Sequence, residues 1–364
     1  MSEPNNMFQP DYAVHPGMLL EQELEYRKLS QADFARRIAR TPKLVSEIIS
    51  GKNPIEPETA IQFERVLGIG ADVWLRMESE FRLHEARQAE SERLQASERW
   101  LSEFPVKELI DWKIIRKSVT TAQRAHDLLA LFGVASPAAF EQRYAKVVVH
   151  YRQSKQMRAS RTSILTWLKY GEVCASLKDI PPYDKAKFRK RLDEIRNLTN
   201  EKIQDFRPKI VELCQNSGVA YIVIPSFPKT CLSGAAYWAQ GRTPVIQQSL
   251  RHKTNDHFWF TFFHEAAHIL LHNPKDFYAD DENGKGDAIE QEANDFATEI
   301  LVGKKQLADF ISKSPTGAEE VRQFASARGV HPGIVVGMLQ HHGVIPWAHL
   351  NSLKAKFEWV TTDK

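Results

Sequence analysis

The sequence predicts a mainly α-helical chain with one small β-sheet, an α+β architecture, and three observations carry that prediction. Helix start and stop signals recur from His15 to about Leu75. The apolar period shortens to that of strands between Ala220 and Gln248. A long apolar helical run, Asp256–His272, then carries His264-Glu265-Ala266-Ala267-His268. With 364 residues, 42% of them hydrophobic, and roughly 100–200 residues per domain, two or three domains with a proper core are expected. The mean hydropathy is −0.42 and no apolar run approaches the about 20 residues that a membrane span needs. The opening MSEPNNMFQPDYAV lacks the basic-then-apolar pattern of an export signal. Three widely spaced cysteines, Cys174, Cys214 and Cys231, argue against a disulfide framework and against a cysteine zinc site. The expectation is a cytoplasmic protein with no membrane partner.

The elements follow in order. Residues 1–12 are polar and hold two prolines, so disorder is expected there. Pro16-Gly17 opens Met18–Arg27, Ser30 caps Gln31–Ile38, and Thr41 caps Pro42–Ser50, which Gly51 ends. Pro57 opens Glu58–Leu67, stopped by Gly68. Asp72–Trp100 reads as one long charged helix, a solvated linker anchored by Trp74, Leu75, Phe81 and Leu94. Beyond Pro105, helices are expected at Val106–Lys113, Ser118–Phe132, Pro137–Val149, Arg161–Leu177 and Lys185–Asn216. Strands are expected at Ala220–Pro225, around Gly234–Trp238 and at Thr243–Gln248. An acidic loop and a helix from Asp287 to Leu301 follow the long apolar helix. The implied division is 13–75, 76–215 and 216–353.

Net charge is only +3, but it is segregated. Arg27–Lys52 holds seven bases against two acids, Gln142–Gly171 seven bases and no acid, and Asp276–Glu299 nine acids and one lysine. The first segment suits an anionic partner and the last a cation. The 142–171 tract reads as a solvated helical face, with a second nucleic-acid contact as its alternative. Two short helices joined by Ala39-Arg40-Thr41 fit a helix-turn-helix, whose second helix enters the major groove of double-stranded DNA. Ala32, Phe34, Ala35, Ile38, Val45, Ile48, Ile49, Ile61, Phe63 and Leu67 can supply its core. Thr41, Lys43, Leu44, Ser46 and Glu47 would face outward; Lys43 and Ser46 can reach bases or phosphates, while Arg36, Arg37, Arg40 and Lys52 neutralise backbone charge. The text from His15-Pro16-Gly17 through Leu29-Ser30-Gln31 and Ile49-Ser50-Gly51-Lys52 to Trp74-Leu75 resembles the Xre-type helix-turn-helix of the HigA antitoxin family. That resemblance implies DNA contact through residues 30–52, with Gln31 among the contacts, and a homodimer. Lys43 and Leu44 depart from the Arg or Gln often found there, so no operator sequence carries over.

His264 and His268 lie one turn apart on one helical face, about 6 Å along the axis, so both imidazoles can grip one ion. Glu265 is placed to take the proton of a water in the open position. Two histidines and a glutamate among Phe258, Trp259, Phe260, Phe262, Phe263, Ile269 and Leu270 are costly unless something binds them. His272 lies about 12 Å from His264 along a continuous helix and cannot share the ion. The third ligand is expected from Ile289–Ala297, where Glu290 is favoured over Glu292. Glu290 shares a face with Asn294, which can then hydrogen-bond a ligating histidine.

SGAAYW, VIQQSLRHKTNDHFWFTFFHEAAHILLH, EQEANDFATEIL and FASARGVHPGIVVGMLQHHGVIPW, between about Asn216 and Leu353, resemble the ImmA/IrrE metallo-endopeptidases. The resemblance implies a zincin-like peptidase domain that holds one Zn2+ on His264, His268 and Glu290, with Glu265 as general base. It also implies limited cleavage of a regulatory protein, often a repressor, in a stress or mobile-element response. Tyr237 and Arg251 are candidate oxyanion or substrate contacts, and Ser233-Gly234-Ala235 a strand edge for an extended substrate. Gly329–Leu339 resembles a small helix-turn-helix-like piece of the family and reads as structural, with a protein or DNA contact as its alternative. The leading reading is a DNA-binding regulator fused to a zinc endopeptidase acting on a repressor or toxin–antitoxin component. The alternatives are an antitoxin or repressor whose zinc domain senses or binds a partner without hydrolysis, and a peptidase that uses its N-terminal unit for dimerisation.

Overall fold

Helix signals in the first hundred residues are local, and the chain obeys them. The computed structural model describes residues 12–117, 120–145, 160–272 and 285–358. The expectations for residues 1–11, for most of the basic tract beyond residue 145 and for the acidic loop at 273–284 lie outside the described residues. Contacts divide the chain into two units, Met1–Ser97 with Val119–Ala125, and Glu98–Ser118 with His126–Lys364.

The first unit holds α1 (Pro16–Tyr26), α2 (Gln31–Arg37), α3 (Pro42–Ile49), α4 (Pro57–Leu67) and α5 (Ala71–Gln95). Ser30 and Thr41 accept from Asp33 N and Leu44 N, satisfying amides that the first turns of α2 and α3 leave open. His15 caps α1 through Nδ1, which accepts from Gly17 N at 2.9 Å. A side chain at Gly17 would collide with the carbonyls of Ile48 and Ile49, so glycine lets α1 rest on the end of α3. Leu20, Phe34, Ala35, Ile38, Val45, Ile48, Phe63, Leu67 and Trp74 form the core. Ala32 and Ile61, expected inside, are exposed, while Leu24, Ile55 and Ala60 take inner places. Along α5 the solvated reading holds except at Trp74, Glu78 and Leu94. Glu78 is buried, accepting from Ile55 N at 3.2 Å and pairing with Arg82 at 2.9 Å. The predicted helix to Trp100 stops at Gln95 and restarts as α6 (Glu98–Leu101).

Next come α7 (Val106–Asp111), α8 (Thr121–Phe132), α9 (Pro137–Tyr144), α10 (Arg161–Ser176), α11 (Lys185–Asn197) and α12 (Ile203–Gln215). The single helix expected over Lys185–Asn216 is thus two, separated by a 3-10 turn at Leu198–Asn200. Its cause is tertiary: Arg196 donates to the Leu301 and Arg328 carbonyls and Asn200 to that of Gly329. Leu198 is buried inside the break, so the apolar period runs through it unbroken.

The sheet consists of β1 (Ala220–Val223), β2 (Gly234–Ala239) and β3 (Thr243–Gln248) in the order β1-β3-β2. β1 runs parallel to β3 with Ala220 opposite Val245, and β2 antiparallel with Gly234 opposite Gln248. Helices cover both faces. Gln247 donates to the Trp167 carbonyl of α10, and Gln248 to the Phe258 carbonyl of α13 (Asn255–Leu271). α14 (Lys285–Leu301), α15 (Lys304–Ile311), α16 (Ala318–Arg328) and α17 (Pro332–His341) complete the unit. Trp259, Phe262, Phe263, Ala266, Ala297, Leu301, Val335 and Leu339 pack the core between α13, α14 and α17. α17 opens as α1 does: His331 Nδ1 accepts from Gly333 N at 3.1 Å. The buried side chains of Asp256 and Lys354 pair at 2.6 Å and tie the C-terminal segment to the start of α13. No described helix is long and apolar enough to cross a membrane.

Candidate metal centre and helix-turn-helix surface

α13 is buried on most sides, and its His264 and His268 face Glu290 on α14. His264 Nε2 and His268 Nε2 lie 3.1 Å apart. Glu290 on α14 brings one oxygen within 3.2 Å of His264 Nε2 and the other within 3.4 Å of His268 Nε2. Tetrahedral zinc with bonds of about 2.0–2.1 Å separates its ligands by about 3.3 Å, so the three side chains already stand at the edges of such a polyhedron. Their donor atoms all lie within 4.8 Å of one another, a group that could hold a metal ion.

The outward nitrogens are also engaged. His264 Nδ1 lies 3.0 Å from Asn294 Oδ1, and His268 Nδ1 lies 2.9 Å from His272 Nδ1. His272 Nε2 in turn faces Glu292 Oε2 at 3.4 Å. Glu290 therefore joins the paired histidines, whereas Glu292 stands behind His272, as two residues of offset on a helix require. The helix ends at Leu271, and His272 leaves it in an extended conformation that lays its ring against His268.

Electrostatics agree with a cation-holding role. Burial pulls His264 down, but the Glu290 hydrogen bond and the Glu265 and Glu290 charges turn the balance upward. Burial pushes Glu290 up, yet hydrogen bonds from His264 and His268 hold it well below the usual carboxylate range. Glu265 is buried, and burial raises its pKa despite the nearby histidines; the Ala236 amide donates to it.

Gly234, expected from the sequence only as part of a strand edge for substrate, also makes room for Glu265. A Cβ there would lie 2.7 Å from Glu265 Oε1 and 2.5 Å from Thr261 Cγ2. Glycine in the SGAAYW stretch was the available signal. Among the described residues β2 pairs with β3 along one side only, and Glu265 lies against it at Gly234 and Ala236.

The structure does not bring Tyr237 to the histidines. Its hydroxyl donates to Gln247 Oε1 at 2.8 Å and lies 3.2 Å from the Leu168 carbonyl. Strand parity is the reason: Ala236 belongs to the α13 face, so Tyr237 faces α10. Arg251 donates to the Cys231 carbonyl, in the segment leading into β2.

On the first unit, α2 and α3 are joined through Ala39, which takes a φ of +55°. Lys43, Ser46, Lys52 and Gln31 are exposed. Thr41 is occupied as the cap of α3. Arg40, expected to face phosphate, donates to Gln62 at 3.0 Å and to Glu58 at 3.2 Å, both on α4. Leu44, expected outward, packs half-buried against the core.

These features define a class: a helix-turn-helix regulator joined to a metallopeptidase-like domain. Residues 215–339 match the family model described as Peptidase_M78, IrrE N-terminal-like domain. About a fifth of the chain, 71 residues, is 31% identical to an uncharacterised HTH-type transcriptional regulator, YddM, of Escherichia coli K12, covering 76% of that protein. A second relative, virulence-associated protein I of Dichelobacter nodosus, is 32% identical over 77 residues, 21% of this chain and 71% of that protein. Among solved structures, an addiction module antidote protein of the HigA family from Coxiella burnetii is 24% identical, with 23% of this chain and 91% of that chain covered and a TM-score of 0.22. A Pseudomonas aeruginosa protein solved with its operator DNA is 28% identical, with 21% and 85% covered and a TM-score of 0.21. Through the segment so matched the chain belongs to the HTH-type transcriptional regulators, and it carries an IrrE N-terminal-like domain at 215–339.

Proposed function

We propose that the chain is a DNA-binding regulator whose M78 domain is a zinc endopeptidase acting on a partner regulatory protein. That partner is a repressor or a toxin–antitoxin component, and the setting a stress or mobile-element response. The observation that carries the reading is the spacing of His264, His268 and Glu290 at 3.1–3.4 Å with the buried carboxylate of Glu265 next in sequence. His264, His268 and Glu290 would hold Zn2+, which supplies Lewis acidity to a water and to the scissile carbonyl.

The chain's own groups do the rest. Glu265, raised in pKa by burial, takes the proton of the attacking water and returns it to the leaving amine. Asn294 and His272 orient the two imidazoles. The edge of β2 at Gly234 and Ala235, which no described strand pairs with, receives the substrate backbone as an added strand. Arg251 remains a candidate contact for the substrate or its oxyanion. Residues 30–52 bind double-stranded DNA, with Lys43, Ser46, Lys52 and Gln31 presented by α2, α3 and the turn after them, in a homodimer. The solvated surroundings of such a regulator are the cytoplasm.

The test uses metal-loaded full-length protein and proteins encoded by the neighbouring genes. Incubation should give one new N-terminus in one partner, absent with Glu265→Gln. Intact partners that nevertheless bind the loaded protein would overturn hydrolysis in favour of sensing.

A further inference from the structure

A cleft of about 880 Å3 opens beside the metal centre, between α13, α14, α15 and α17. Its walls are apolar, with Phe260, Leu307, Ile311, Ile334 and Met338, and the exposed Trp347 stands at the rim. This volume lies in the range of small-molecule sites, about 300–1,000 Å3, and exceeds what one substrate side chain fills. His264, Glu265, His268 and Glu290 do not line it, but Asn294 does. The same Asn294 holds His264 Nδ1 at 3.0 Å. Charges in the lining are already matched, Asp295 to Lys304 at 2.5 Å and Asp256 to Lys354 at 2.6 Å. An ionic ligand would therefore find no unpaired acid or lysine there. The other polar groups of the lining include Gln291 and Thr298 along α14, which donate to Asp295 and to the Asn294 carbonyl, and the imidazoles of His257, His341 and His342.

We propose that this cleft binds one neutral, largely apolar small molecule, and that Asn294 relays its occupancy to His264. The ligand's polar atom meets the α14 amides while its body covers Phe260, Leu307 and Met338. Displacing Asn294 loosens the imidazole that it orients, so occupancy changes the hold on the metal. The relay rests on a metal at His264, His268 and Glu290; binding in the cleft does not.

Nile red, neutral and apolar, is the probe, titrated into full-length protein. One saturable equivalent is expected. Ala308→Trp and Ser312→Trp, at exposed lining positions, should each raise its Kd at least tenfold. Leu177→Ala, an exposed apolar residue elsewhere, should leave it unchanged. Equal binding by both Trp variants overturns the site. So does absence of dye binding together with loss of partner cleavage in the Trp variants, which would make the cleft a peptide subsite. The relay is read as the rate of metal loss to a chelator. Saturating dye should change that rate at least threefold in the wild type and not in Asn294→Ala. An unchanged wild-type rate overturns the relay. Metal content measured before any dye is added separates these outcomes: a metal-free protein defeats the centre and the relay, while dye binding still decides the cleft.

Discussion

Asn294 Oδ1 lies 3.0 Å from His264 Nδ1 across the α13–α14 interface. A carbonyl oxygen there requires the proton on Nδ1, which leaves the Nε2 lone pair directed at His268 and Glu290. Asn294→Ala should therefore weaken metal binding about 10–100-fold while leaving the three ligands in place. Asn294→Asp, which keeps the acceptor, should restore most of it. Competition with a chromogenic chelator reads both, and an Ala variant as tight as wild type defeats the orienting role.

Glu290 and Glu292 separate on the same measurement. Glu290 contacts both Nε2 atoms, whereas Glu292 reaches only His272 at 3.4 Å. Glu290→Ala should abolish stoichiometric metal, and Glu292→Ala should retain it with a modest loss of affinity. The reverse order would move the third ligand to Glu292.

What the sequence disclosed here was local geometry. His264 and His268 must share a face of any helix, and Glu290 and Asn294 must share one too, so facing the two helices produces the cluster. Caps were equally legible, because Ser30 and Thr41 act within three residues of themselves. Features set by distant partners were not. The break after α11 depends on carbonyls more than a hundred residues away. Arg40 looks like a free cation until α4 folds against it with Glu58 and Gln62. Tyr237 was a matter of strand parity, which names two faces without saying which helix covers each.

Salt dependence tests the DNA surface. Lys43 and Lys52 are exposed, so replacing either by alanine should lower affinity for the protein's own promoter fragment. Each should also reduce the slope of log K against log salt by about 0.9, one phosphate contact. Arg40→Ala should leave the slope unchanged, since its guanidinium bonds Glu58 and Gln62. Retardation assays across a salt series read all three, and a slope that falls only with Arg40→Ala would reassign the contact.

The cap of α1 should make the first unit sensitive to acid. His15 is buried beside Phe81, and its Nδ1 must stay unprotonated to accept from Gly17 N. Burial lowers its pKa below the ordinary 6.5, outweighing the pull of Glu78 and Glu85, while Arg82 adds to the lowering. Above about pH 6.5 both folded and unfolded chains carry the neutral ring, and the contribution is fully present. As pH falls below that value the unfolded chain takes up a proton that the folded unit refuses, and stability drops until the folded imidazole titrates as well. His15→Asn keeps a capping oxygen without the titration. Hydrogen exchange of peptides from α1 between pH 7.5 and 5 should therefore show protection falling more in the wild type than in His15→Asn, after correction for intrinsic rates; parallel profiles would remove His15 as the cause.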